Sequence, residues 1–266
     1  PERVDQLEMA WNRWAKENYV TPLPTDYGVA YLPVAKSVYP TTKIRKIADG
    51  FRFTEGPAWD GKVAWYFSDL PNKTLHRWSE GKGVELIRTG EDAFSNGIVI
   101  DREGRLVFCE VSSRRIVRHA LDGKEETIAA TCDGKPIGMP NDLWLAPDDA
   151  IYFTIPRTNE RRAKVVPPDA VNGTVCRISP DGKTIADVGI GLKSPNGIVG
   201  SRDGKWLYVA DPGAQKCWRY AIQSDGSLAN QTVAADNMKF GGKDGRTLFI
   251  TARTGIYSVR LNVRGD

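Results

Sequence analysis

A chain of 266 residues with 41% hydrophobic and 26% charged residues has the composition of a globular protein, as one large all-β domain or two ordinary ones. Its formal charge of +4 is mild, and Lys and Arg are spread along the chain, which argues against nucleic acid as the main partner. No apolar run approaches the roughly 20 residues that span a bilayer.

Residues 1–18 place Val4, Leu7, Trp11 and Trp14 three and four apart, which predicts a short N-terminal amphipathic helix. Pro22, Pro24, Asp26 and Gly28 end that pattern, and a Pro-rich extended connection follows. Positions 1–42 are thus an N-terminal arm, and 43–266 a separate β domain. No signal peptide is visible, and a start at Pro1 without Met leaves periplasmic, secreted and cytoplasmic locations all open.

From residue 51 the chain repeats itself. Copies run from Phe53 to Ser79, from Ser95 to Gly123, from Pro140 to Gly182 with an insertion, from Pro195 to Gly226, and from Lys239 to Leu261. Each holds three short strands, and segments such as VELIRTG, ETIAATC and TIADVGI suggest a fourth. Four-strand units recurring in one register predict an all-β fold, a β-propeller rather than a sandwich of unrelated hairpins. Pro195-Asn196-Gly197 reads as a turn and Asp203-Gly204 as a two-residue hairpin. The segment SLANQTVAADNM, between Gly226 and Lys239, is too short for a whole blade. Two arrangements follow: five blades closed by an N-terminal strand, or a six-bladed β-propeller with one blade incomplete. The second is the expectation adopted.

Equivalent positions of the first four copies carry Glu55, Asn96, Asn141 and Asn196. In a propeller these would converge at the entrance of the central channel. One carboxylate and several carboxamides form an oxygen-only cage, which suits Ca²⁺, Mg²⁺ or Mn²⁺ better than Zn²⁺. Asn before Gly is a good turn former whatever the function, but Glu55 has no such excuse. Arg157, Asn159 and Arg161 lie in the insertion of the third copy, which reads equally as a lid contacting substrate or as a solvated basic loop. His76 and His119 read as ordinary packing or surface residues. Cys109, Cys132, Cys176 and Cys217 form no CxxC pair; Cys109, Cys176 and Cys217 read as buried thiols within strands, with nothing to support a disulfide.

FTEGPAW (53–59), SNGIVID (95–101), PNDLWL (140–145), SPNGIV (194–199), LYVAD (207–211) and FGGKDGRTLFITA (240–252) together resemble the SMP-30/gluconolactonase/luciferin-regenerating-enzyme family over residues 43–262. The resemblance implies a six-bladed propeller holding one divalent cation, Ca²⁺ foremost or Zn²⁺, and hydrolysis of a sugar lactone by a water bound to it. It matches Glu55 and Asn196 to metal ligands and Asn141 to a residue that contacts metal or substrate, taken here as a third ligand. Asn96, Asp142 and Arg157 are then expected to contact a small lactone or ester substrate. The family's further Asp, which also serves as general base, belongs to a repeat that should lie where this sequence has only SLANQTVAADNM, and Asp236 is the nearest candidate. The third copy reads YFTIP where the family has Asp before Pro. No GxSxG element is present, consistent with a mechanism without a covalent nucleophile. Two other readings stand beside it: a non-catalytic binding propeller, and a hydrolase of other esters or organophosphates on the same scaffold.

Overall fold

The second strand of each copy is an almost unbroken apolar run, AWYFSD, LVFCE, IYFTI or WLYVAD, as expected of strands covered on both faces. The computed structural model describes residues 45–90, 94–120, 122–159, 165–214, 216–234, 239–241, 247–252 and 255–260. The predicted N-terminal helix and Asp236 lie outside these residues. Among them there is no helix long and apolar enough to cross a membrane.

Strand β1 (Arg45–Ala48) precedes the first repeat. The first sheet contains β2 (Thr54–Trp59), β3 (Ala64–Asp69), β4 (Thr74–Ser79) and β5 (Gly83–Thr89). The second contains β6 (Ser95–Ile100), β7 (Leu106–Glu110), β8 (Arg115–His119) and β9 (Glu125–Ala129). A small hairpin, β10 (Thr131–Cys132) with β11 (Lys135–Pro136), leads into the third sheet: β12 (Leu143–Leu145), β13 (Ile151–Ile155), β14 (Thr174–Ile178) and β15 (Ile185–Asp187). The fourth is β16 (Ile198–Gly200), β17 (Trp206–Asp211), β18 (Lys216–Ile222) and β19 (Leu228–Ala234). The fifth combines β20 (Lys239–Gly241), β21 (Thr247–Ala252) and β22 (Gly255–Arg260) with β1, in the order β1-β22-β21-β20.

All five sheets are antiparallel and four-stranded, and the last is completed by the N-terminal strand. The all-β expectation is met; a sixth four-stranded sheet is not among the described residues. Apolar cores lie between consecutive sheets. Ile98, Phe108 and Leu75 join the first to the second, Val107, Ile116 and Phe153 the second to the third, and Tyr152, Leu207 and Tyr220 the third to the fourth. First strands therefore pack in series: β2 on β6, β6 on β12, β12 on β16, with β20 and β21 against β2.

The Asp203-Gly204 hairpin is longer than expected. Residues 201–205 connect β16 to β17, with Gly204 N–H donating to Ser201 C=O and Gly204 at φ +71°. Asp203 accepts from Lys205 N–H and from the Ser201 hydroxyl, so its role is to hold a wider loop.

Cys176 is not a lone thiol. It forms a disulfide with Cys132, at a Cα–Cα distance of 6.5 Å, while Cys109 and Cys217 are buried thiols as expected. The hairpin carrying Cys132 is tied to the third sheet by Asp133 N–H to Ile185 C=O and Asp187 N–H to the Asp133 carboxylate. A contact between residues 44 apart leaves no local trace in sequence. Replacing both cysteines by Ala is expected to lower stability by about 2–4 kcal/mol, read from the urea midpoint; an unchanged midpoint would mean the bridge constrains nothing.

Candidate functional site

The motifs around Glu55, Asn96, Asn141 and Asn196 are not turns. Glu55 pairs with Ser68 and Ala58 with Tyr66, so the register of β2 slips across Gly56-Pro57. In β6 it slips across Asn96-Gly97, between Ser95–Glu110 and Ile98–Phe108. The third and fourth sheets repeat the geometry. Asn141 N–H donates to Thr154 C=O and Thr154 N–H to Asp142 C=O. Asn196 N–H donates to Ala210 C=O and Ala210 N–H to Gly197 C=O. In each case two residues face one, which is a β-bulge, and bulges re-aim side chains beside functional sites.

Each Asn is then held by the sheet before it. The Ser68 hydroxyl donates to Asn96 C=O at 2.8 Å, Gly97 N–H to Asn141 C=O at 2.8 Å, and the Thr154 hydroxyl to Asn196 C=O. Ser68 and Thr154 occupy equivalent places opposite a bulge. Sequence reading passed over both, although their alignment in the repeats is visible. Thr154→Val keeps the shape and removes the hydroxyl; we expect a loss of about 1–2 kcal/mol in urea unfolding. An isostable variant would show that the bond does not hold Asn196.

The acidic residues that end the second strands hold the chain on its way into the site. Asp69 accepts from Phe53 N–H at 2.9 Å and from Arg52 N–H. Asp211 accepts from Lys193 and Ser194 N–H, each at 2.8 Å. Glu110 instead binds Arg88, Arg115 and Ser113. Ile155 takes this place in the third sheet and is fully buried, and there Gly138 N–H is tied to Val171 C=O.

The four predicted donors meet. Glu55, Asn96, Asn141 and Asn196 line one cavity of about 200 Å³, with Phe53, Leu70, Phe94, Val111, Met139 and Pro140 as its apolar walls. Burial, reinforced by the negative charge of Asp142 and partly offset by Gly56 N–H, raises the Glu55 carboxyl from 4.5 to about 7. Among the described residues, no protein group takes up the side-chain amides of the three Asn residues, and Asn96 is 4% exposed. Amides left unpaired around a shared space suit a ligand. The donors are all oxygen and carry one negative charge, and no group of three or more His, Cys, Asp or Glu among the described residues could hold a metal ion.

The other expected contacts are placed elsewhere. Asp142 is buried, but its carboxylate accepts from Leu143 N–H and from Ile198 N–H, bracing the third sheet against the fourth rather than lining the cavity. Arg157 is exposed and also outside the lining; its backbone N–H donates to the Ser194 hydroxyl. The described part of the insertion is anchored, with Val165 C=O accepting from Arg114 and Val171 N–H donating to Pro136 C=O. His76 stacks on Phe67 and contacts the Thr74 hydroxyl, and burial lowers its pKa. His119 lies 3.2 Å from Glu125, a carboxylate partner that sequence reading did not anticipate. Neither histidine lines the cavity.

Repeated sheets whose first strands surround one oxygen-lined cavity define a repeat β-protein with a small-molecule-sized site. The chain belongs to the SMP-30/gluconolactonase/LRE-like family, whose profile matches residues 53–248. It is 29% identical over 213 residues to a gluconolactonase of Zymomonas mobilis, covering 73% of this chain and 59% of that protein. To a pentonolactonase of Haloferax volcanii it is 26% identical over 185 residues, covering 69% and 58%. The chain therefore spans under three fifths of the length of these curated relatives. Its fold is shared with the solved structure of a gluconolactonase from Xanthomonas campestris, at a TM-score of 0.74 and 24% identity, covering 87% of this chain and 93% of that one.

Proposed function

We propose that the chain is a divalent-cation-dependent lactonase acting on a sugar lactone. The observation that carries this reading is the convergence of Glu55, Asn96, Asn141 and Asn196, from four sheets, on one cavity where, among the described residues, no protein group pairs with the amides. Glu55, Asn141 and Asn196 would hold the cation, and Ca²⁺ fits an all-oxygen donor set of low charge best. When bound, a divalent cation supplies Lewis acidity, which polarises an ester carbonyl and acidifies water. Glu55 supplies the one negative charge of the described lining, and the bulges keep the amides aimed inward without rearrangement. Asn96 is left to bind substrate oxygen.

The five sheets are read as propeller blades. Their first strands pack in series from the fifth sheet through the first to the fourth, whereas β16 and β20 share no comparable packing among the described residues. A six-bladed plan has its unfilled step there.

The test is a pH-stat assay with D-glucono-δ-lactone on EDTA-treated protein, before and after adding Ca²⁺, Mn²⁺ or Zn²⁺. Hydrolysis restored by one of these ions is expected. Hydrolysis no faster than in buffer with all three would replace this reading with that of a binding protein.

A further inference from the structure

The third sheet fastens the approach to its donor by a different device from the first and fourth. In those two, the acid that ends the second strand accepts the backbone N–H groups two and three residues before the donor. Asp69 takes Phe53 and Arg52, and Asp211 takes Ser194 and Lys193. In the third sheet the corresponding positions are Met139 and Gly138, and the strand ends in Ile155, whose side chain has no acceptor. Val171 C=O serves instead, accepting from Gly138 N–H at 2.8 Å. The approach is close: a Cβ on Gly138 would stand 3.0 Å from Ile155 Cγ2 and 3.0 Å from the Val171 oxygen.

Val171 works in both directions. Its N–H donates to Pro136 C=O at 2.8 Å, and it bridges Ile137 in parallel. The chain leaving hairpin β10–β11 is thereby zipped to the chain returning from the insertion. Gly173 N–H, donating to Ile155 C=O at 2.8 Å, ties that return to the end of β13. Met139, Pro140 and Asn141 follow at once and line the cavity. Their placing therefore starts from a hairpin with two residues in each strand, and a hairpin alone is at best marginally stable in water. Its hydrogen bonds to β15 run through Asp133, which is exposed, so water competes for them. The disulfide is fully buried and lands in the middle of the third sheet, where Cys176 faces Phe153 of β13 and Asp187 of β15.

We propose that the Cys132–Cys176 bridge is the positioning element for Asn141, doing for the third sheet what Asp69 and Asp211 do for the first and fourth. Neither cysteine lines the cavity. The bridge acts through Ile137, Gly138 and Val171, by forbidding the local opening that a short hairpin otherwise undergoes. Its consequence for cation affinity rests on the lactonase reading; the placing of Asn141 does not.

Two variants remove the bridge: Cys132→Ala/Cys176→Ala, and Cys132→Ala/Cys176→Val, which keeps more of the buried volume. Leu228→Ala, on β19 in the core between the third and fourth sheets, provides a chain destabilised elsewhere. Amide exchange is followed by NMR on the cation-free proteins, and Ca²⁺ is titrated by calorimetry. Gly138 N–H and Gly97 N–H, bonded to Val171 and Asn141 C=O, report on this segment, and Asn196 N–H reports on the fourth sheet. Without the bridge, exchange at the two glycines is expected to rise about 10-fold relative to Asn196. Ca²⁺ binding should weaken by about 10-fold, the scale of losing a group that orients a metal ligand. Leu228→Ala should leave both the exchange ratio and the Ca²⁺ affinity as in the wild type. An unchanged ratio in a folded bridge-free variant, or an equal rise in Leu228→Ala, overturns the proposal. A raised ratio with unaltered Ca²⁺ affinity keeps the positioning and removes Asn141 from the cation's donors. A raised ratio in a chain that binds no cation even with its bridge intact keeps the positioning and removes the cation-dependent lactonase reading.

Discussion

Glu55→Gln is expected to abolish cation-dependent lactone hydrolysis, with a loss in kcat/KM on the order of 1,000-fold, because several kcal/mol of Lewis-acid stabilisation depend on holding the ion. Gln keeps the size and one oxygen and removes the only negative charge that the described lining offers. The same substitution should act on stability with the opposite sign. Glu55 is raised from 4.5 to about 7 by burial, so between those values the folded state binds more protons than the unfolded one. The metal-free wild type must therefore lose stability as pH rises through that window. Gln cannot ionise. Metal-free Glu55→Gln should be the more stable protein above about pH 8, by on the order of 3 kcal/mol, with the difference fading towards pH 4.5. Urea unfolding in EDTA across this range measures it. A variant that loses activity while gaining stability marks a strained site, whereas one that loses both would mark Glu55 as an ordinary structural carboxylate.

Gly97→Ala should cost the most stability of any single methyl group considered. Its Cβ would stand 2.3 Å from Asp142 Oδ1, 2.5 Å from Asp142 Cα and 2.9 Å from Asn141 C=O oxygen. Two of those atoms are backbone, and the carboxylate is committed to Leu143 and Ile198 N–H, so no neighbour can yield cheaply. Strands β6 and β12 would have to separate, breaking Gly97 N–H to Asn141 C=O and with it the placing of that donor. A loss of about 3 kcal/mol or more is expected, at the upper end of overpacking effects. Gly104 supplies the comparison. It has φ +81° and open space where a Cβ would go, so Gly104→Ala should cost only about 1 kcal/mol of backbone strain. Equal losses for the two variants would contradict the close approach of β6 and β12.

The contrast between these glycines shows what the sequence carried and what it concealed. The register of the repeats was readable, and it placed Glu55, Asn96, Asn141 and Asn196 at equivalent positions that share a cavity. Why Gly follows Asn96 was misread as a turn preference, when the reason is the backbone of another sheet. Neither local propensity nor alternation reports on that distance. The acidic ends of β3 and β17 were also visible in sequence, but their bonds to Phe53 and Ser194 N–H depend on chain returning from elsewhere. Asp142 is expected to contact substrate from its place beside a donor; its carboxylate also accepts from Ile198 N–H, a bond to another sheet that no local pattern announces. Arg157 carries its charge within a long insertion, and its backbone bond to the Ser194 hydroxyl joins segments too far apart in sequence to be read locally. The Cys132–Cys176 bridge depends on a hairpin docking beside β15, again a matter of tertiary contact.

Diffraction from crystals grown with Mn²⁺, an ion that shares the oxygen preference of Ca²⁺ and scatters anomalously, tests the central claim most directly. One strong anomalous peak is predicted inside the cavity, bonded to Glu55 and to amide oxygens of Asn141 and Asn196. Peaks confined to surface carboxylates, with that cavity empty at saturating Mn²⁺, would contradict it.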